Sequence, residues 1–278
     1  MLKKLLKYDL KFIFKYWWIA AVVTIGASVL AGFCMRLLDY SDNRRELPAL
    51  VLSSASSMIT LTIVVFIAFS ILSTILIFIR FYSNFFSDEG YLTFTLPVKR
   101  SSLITSKIIS ASFTQIATSF LIVFGVCLMF IIAFWENFWS KEFWAGLGEI
   151  LEYYFKDNTF YRIMYILEAI ALYVTSIAFS TMFLFTCITF ASIITKKARV
   201  ITAIGIYFGI NMLVSFVIQI FALFGISTLV GYFKNLSSSI IEPVICLTLF
   251  VGVLFFVIIA FALYTLHYYM LDRKLNLT

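Results

Sequence analysis

Charge is what this sequence has least of. Only 13% of its 278 residues are Asp, Glu, Lys or Arg, and 63% are hydrophobic. A soluble domain carries about 25% charged and about 45–50% apolar residues. So few charges cannot cover this much apolar surface, which excludes a water-soluble fold and makes lipid the solvent for most of the chain. There is one histidine, His267, which rules out a zinc protease of the H-E-x-x-H kind. It stands near the end of the last apolar run and reads as an interfacial residue. Neither a G-x-S-x-G elbow nor a G-x-x-x-x-G-K-[ST] phosphate loop occurs, so that hydrolase chemistry and phosphate-loop ATP hydrolysis are both excluded. The four cysteines, Cys34, Cys127, Cys187 and Cys246, lie in or at the edges of apolar runs without metal-ligand spacing. They read as small packing residues, not as a disulfide framework. Pro48 and Pro243 lie near run ends, where proline is unexceptional.

What the sequence has instead is long apolar runs. About 20 apolar residues cross a hydrocarbon core about 30 Å thick. Six segments qualify: Trp17–Leu38, Ser57–Tyr82, Ile108–Trp135, Ile163–Thr195, Val200–Leu223 and Pro243–Met270. Each is continuous and does not alternate over about ten residues, so they are helices and not barrel strands. The expected fold is an all-α integral membrane protein, one transmembrane domain over residues 1–278. It has six spans, an amphipathic helix at 1–16, a connecting segment at 83–107 and an outer-loop helix at 136–162. The first apolar run is full length with no cleavage pattern, so a retained signal anchor is expected.

Lysine and arginine set the orientation. If both termini share one side, that side holds fourteen of the 21 basic residues, including Lys3, Lys4, Lys7, Lys11, Lys15, Arg80, Lys99, Arg100 and Lys107. The positive-inside rule then puts both termini and the 83–107 segment in the cytoplasm. The net charge of +7 reflects this topology and attraction to anionic lipid, not nucleic-acid binding.

On a helical wheel the five N-terminal lysines fall within an arc of about 120°. Leu2, Leu5, Leu6, Leu10, Phe12 and Ile13 oppose them, which is the pattern of a helix lying in the membrane interface. Asp9 projects into that apolar face. A lone carboxylate there is costly, so either this part of the helix touches protein or Asp9 turns to the headgroups.

The 83–107 segment is the one long cytoplasmic connection between spans. Ser87 suits a helix N-cap, with Asp88 and Glu89 in the first turn where the helix dipole favours acids. Pro97 ends that helix, since the residue before proline avoids the α region. Tyr91, Leu92, Phe94 and Leu96 lie between, an apolar set suited either to docking in a groove on another protein or to resting on lipid.

The stretch "EGYLTFTLPVKRSSLITSKI" resembles the segment between the second and third spans in permease subunits of type-2 ATP-binding cassette exporters. Glu89, Gly90, Leu92, Thr95, Leu96, Pro97, Val98, Arg100, Leu103 and Lys107 carry the likeness, and Lys99 replaces a commoner serine. "LLKYDLK" resembles that family's connecting helix, and "YYMLDRKLNL" its cytoplasmic end. The resemblance implies a coupling helix formed by Phe85, Phe86, Asp88, Glu89, Gly90, Tyr91, Leu92, Phe94, Leu96 and Pro97. That helix would sit on a separate cassette ATPase, which holds the ATP and Mg, while this chain binds no cofactor and is not itself an enzyme. It further implies a second permease copy or homologue, a bacterial cell membrane, and export of a bulky amphiphile such as a peptide. Other classes are a secondary transporter or channel, or an intramembrane enzyme. The first needs coupling-ion carboxylates and repeats, and the last a polar catalytic cluster.

The remaining polar residues concern a pathway. Ser70 and Ser73 lie in span two; Asn211, Ser215 and Gln219 step every four residues along one face of span five. In lipid such groups face protein or water. Gly205 and Gly209 form G-x-x-x-G, a close-packing signal. Glu168 is the acid well inside a span; it pairs with Arg162, pairs with a neighbouring helix, or snorkels outward. In the outer loop, Trp135, Trp139, Phe143, Leu147 and Leu151 recur every four residues, an amphipathic helix that serves either as an aromatic-belt element or as a lid. The stretch from Phe224 to Pro243 is a candidate for a short re-entrant pair.

Overall fold

A computed structural model describes residues 2–44, 48–86, 90, 100–156, 159–195, 199–233 and 238–273 of the chain. Among them the structure is all-helical. The helices are α1 (Leu2–Arg44), α2 (Ala49–Phe86), α3 (Arg100–Ala133), α4 (Trp135–Phe138), α5 (Lys141–Lys156), α6 (Thr159–Ile194), α7 (Arg199–Phe233) and α8 (Ser238–Arg273). Five contain apolar segments long enough to cross a membrane: Lys3–Asp39, Ala49–Phe86, Ser101–Ala133, Thr159–Ile194 and Glu242–Leu271. The expected fifth span corresponds to α7, in which the apolar stretch among the described residues is the shorter Val200–Phe216.

The helices outrun the expected spans, each for a local reason. α1 is unbroken over 43 residues, about 65 Å at 1.5 Å per residue, so the amphipathic segment and the first span are one helix. Its buried stripe is Asp9, Ile13, Trp17, Ala21, Thr24, Ser28 and Ala31, which holds one face through residues 16 and 17 and leaves no reason for a break. α2 begins at Ala49, eight residues before the expected span. Its serine-rich start keeps its polar groups satisfied within the helix: Ser53, Ser54, Ser56, Ser57 and Thr60 return their hydroxyls to carbonyls three or four residues back. The expected 136–162 helix is divided among α4, α5 and the start of α6. Ser140 caps α5 by accepting the Phe143 N–H at 3.2 Å, and Glu142 and Lys156 match its dipole ends.

The chain divides into two compact units: Met1–Phe81 with Thr105–Tyr154, and Tyr82–Ile104 with Phe155–Thr278. In the first, α1 meets α2 and α3 through small residues. A Cβ on Gly32 would lie 2.8 Å from Ile132 Cβ and 2.9 Å from the Met129 carbonyl oxygen; one on Gly125 would lie 2.7 Å from Ser28 Oγ. Small residues let backbones approach where lipid offers no hydrophobic drive for association. Trp17 Nε1 donates to Thr118 Oγ1 at 2.9 Å, and Thr62 donates to the Ala27 carbonyl at 3.3 Å.

In the second unit α6 is the core helix, with Ile177, Met182, Leu184, Phe185, Ile188 and Ala191 buried. Phe179 meets Phe256 of α8 at 5.5 Å, and Phe183 meets Tyr207 of α7 at 5.7 Å. His267 is fully buried, with Nδ1 3.1 Å from Thr189 Oγ1 and its ring 6.5 Å from Phe185. It is a core residue of the α6–α8 contact, not the interfacial residue expected, because its partner hydroxyl lies on another helix. The three helices leave an open apolar groove of about 380 Å³ lined by residues such as Phe183, Cys187, Phe190, Ile206, Leu263 and Met270.

Candidate functional site: a buried acid between two cations

The site starts from the residue that broke the amphipathic pattern. Asp9 is 1% exposed, at the head of the buried stripe of α1. It faces α2 and α3. Arg80 Nε donates to Asp9 Oδ1 at 2.9 Å, and Lys107 Nζ donates to the same oxygen. The Arg80 guanidinium also lies 4.8 Å from the centre of the Phe12 ring, one turn along α1. The Lys107 side chain is 5% exposed and that of Arg80 16%. Asp9 Oδ2 has no hydrogen-bond partner among the described residues. Of the two earlier alternatives for Asp9, protein contact is the one found.

Arg80 and Lys107 bracket residues 81–106 in the chain, so one carboxylate on α1 ties both flanks of the connecting segment. A buried ion pair need not add net stability, but removing one partner leaves an uncompensated charge and costs about 3–5 kcal/mol. The arrangement fixes the register of three helices. Read from the sequence, Arg80 counted as an orientation signal, and Lys107 as that and as part of the family likeness. The clue to their role was an acid on an apolar arc together with cations in the turns flanking two apolar runs.

The other expected site residues fall as follows. Phe85 is 1% exposed and Phe86 is also buried, so their side chains belong to the chain's own packing, and a partner would meet the segment through other residues. Gly90 lies against that turn: a Cβ there would come 2.8 Å from the Phe85 carbonyl oxygen, so a larger residue forces a shift. Asp88, Glu89, Tyr91, Leu92, Phe94, Leu96 and Pro97 lie outside the described residues. Ser70 is exposed, and buried Ser73 donates to the Ser70 carbonyl at 2.8 Å. Asn211 donates to its own helix at the Tyr207 carbonyl, 2.9 Å away. Asn211 is half-buried and Ser215 and Gln219 are exposed, so among the described residues nothing covers the latter part of the stripe on α7. Nothing lies within 4 Å of a Cβ built on Gly205 or Gly209; among the described residues the close packing expected there is not made. Glu168 is buried in α6, and Arg162 pairs with Glu242, not with it. No group of three or more His, Cys, Asp or Glu able to hold a metal occurs among the described residues.

Fold and site together define an all-helical protein of apolar, membrane-length helices, tied in its first unit by a buried charge cluster. No protein family, no curated protein and no solved structure matches the chain.

Proposed function

We propose that this chain is the permease subunit of an ATP-binding cassette exporter. In this reading it is a six-span protein of a bacterial cell membrane with both termini in the cytoplasm, and it moves a bulky amphiphile, most simply a peptide, with work supplied by separate ATPase subunits. The observation that carries the reading is the Asp9 cluster. An ATPase seated on the 83–107 segment would push on a loop whose two flanks are held by one acid on α1, so a displacement there reaches three helices at once. The absent phosphate loop agrees with an ATPase on another chain. Ser215 and Gln219, exposed among the described residues, agree with a second permease copy, because polar groups in lipid need protein or water beside them.

The chain expressed with its candidate ATPase should co-purify with it in mild detergent and should hydrolyse no ATP alone. Tyr91→Ala combined with Phe94→Ala should cost about 30-fold to 1,000-fold in ATPase affinity, as removal of a buried aromatic anchor does, with insertion unchanged. Robust ATP hydrolysis by the isolated chain, or normal assembly and transport by the double variant, removes this reading.

A further inference from the structure

Glu168 lies in the third turn of α6 and is 9% exposed. The nearest cation in sequence, Arg162, has its Nη2 3.6 Å from Glu242 Oε1 on the neighbouring helix. Tyr165, on the same face of α6, donates its hydroxyl to the Glu242 carbonyl at 2.9 Å. Cys246 on α8 stands opposite Glu168 in the register set by Tyr165 with Glu242, Phe179 with Phe256 and Thr189 with His267. Among the described residues Glu168 forms no ion pair, and its Oε2 is buried with no hydrogen-bond partner. Among the described residues the cluster thus pairs Arg162 with Glu242 and leaves Glu168 without an ion pair, inside a helix pair of apolar composition. A carboxyl group in that setting stays charged only beside a positive partner.

We propose that Glu168 and Cys246 form the polar end of a cation-binding position on the α6–α8 contact, whose ligand is the protonated amine of an amphiphile. Hard metal ions fit poorly. Calcium takes six to eight oxygens, and the described residues offer no metal-holding group here. An ammonium carries three donors. Glu168 Oε2 supplies the charged acceptor, with the Cys246 sulfur and the Tyr165 hydroxyl oxygen as weaker ones. The alkyl part of such a ligand meets apolar surface, since Met164 and Leu172, one turn either side of Glu168 on its face of α6, are apolar and half-buried. The name of cargo for this amphiphile rests on the export reading; the binding position rests on geometry alone. The amine chemistry is shared by a transported cation and by the headgroup of phosphatidylethanolamine.

Cys246 is partly exposed and serves as the built-in probe. The full chain carrying Cys34→Ala, Cys127→Ala and Cys187→Ala is placed in phosphatidylcholine nanodiscs. Cys246 is then modified with a cationic (ethyltrimethylammonium) or an anionic (ethylsulfonate) methanethiosulfonate. The cationic reagent should react about tenfold faster or more, as a nearby unpaired carboxylate requires, and Glu168→Gln should bring the ratio close to one. Dodecylamine at neutral pH should protect Cys246 in the parent and not in Glu168→Gln, and dodecanol should protect neither. If phosphatidylethanolamine added to the discs protects equally, the position takes the lipid headgroup; if only free amine protects, it takes a soluble cation. Equal rates for the two reagents in the parent chain, which needs no Glu168 variant to fold, overturn the proposal. So does equal protection by amine and alcohol. A charge-selective Cys246 in a chain that captures no ATPase would keep this site and remove the export reading.

Discussion

Asp9 and Glu168 are the two acids that the described residues bury, each within a different unit and on an apolar helix. Asp9 sits on two cations from two other helices. Among the described residues Glu168 sits on none, and the arginine near it in sequence is engaged by Glu242. The first is what a structural tie requires, since its charge is answered inside the chain. The second leaves a charge to be answered from outside. Burial alone therefore does not tell a fastening from a binding position; the inventory of partners does.

Charge removal breaks this comparison most directly. Asp9→Asn leaves Arg80 and Lys107 facing a neutral amide and should destabilise the chain by about 3–5 kcal/mol, read as a lower unfolding temperature and poorer yield in detergent. Adding Lys107→Met to it should recover part of that loss, because the two sites share one network. Glu168→Gln should instead be neutral to slightly stabilising, within about 1 kcal/mol, because it removes a carboxylate that has no cation. If both acids cost the same when neutralised, the contrast is void.

The glycines sharpen it next. Gly32→Ala puts a methyl 2.8 Å from Ile132 Cβ and should cost about 1–3 kcal/mol by overpacking. Gly205→Ala meets nothing within 4 Å and should be nearly silent in the isolated chain. If it is silent there but disrupts a cross-linked pair of chains, the face around Gly205 is where a second copy packs. The effect expected of Trp17→Phe falls between those of Gly32→Ala and Gly205→Ala. It keeps the aromatic contact with Phe69 at 5.6 Å but loses the hydrogen bond to Thr118, about 0.5–1.5 kcal/mol in the same unfolding measurement.

Much of this protein was legible one helix at a time. The shortage of charge pointed to lipid as the solvent, and the apolar runs located the helices, whose ends they matched within a few residues at about half of the positions. The five exposed lysines on one arc of α1 and the buried Ile13 opposite them follow from the 3.6-residue repeat. Even the oddness of Asp9 could be read, because a carboxylate on an apolar face breaks a local rule.

What the tertiary structure decided is who meets whom. Nothing local pairs Asp9 with Arg80 and Lys107, separated from it by 71 and 98 residues. Nor does anything local bury His267 against Thr189, turn Arg162 toward Glu242, or choose Gly32 and Gly125 over Gly205 and Gly209 as the sites of close approach. In water, hydrophobicity separates the packed face of a helix from its exposed face. In lipid both faces are apolar, so the sequence determines that a helix forms and crosses while saying little about which side it packs. Only the rare polar groups, which must find one another or find a ligand, carry that information, and their partners emerge once the helices are assembled.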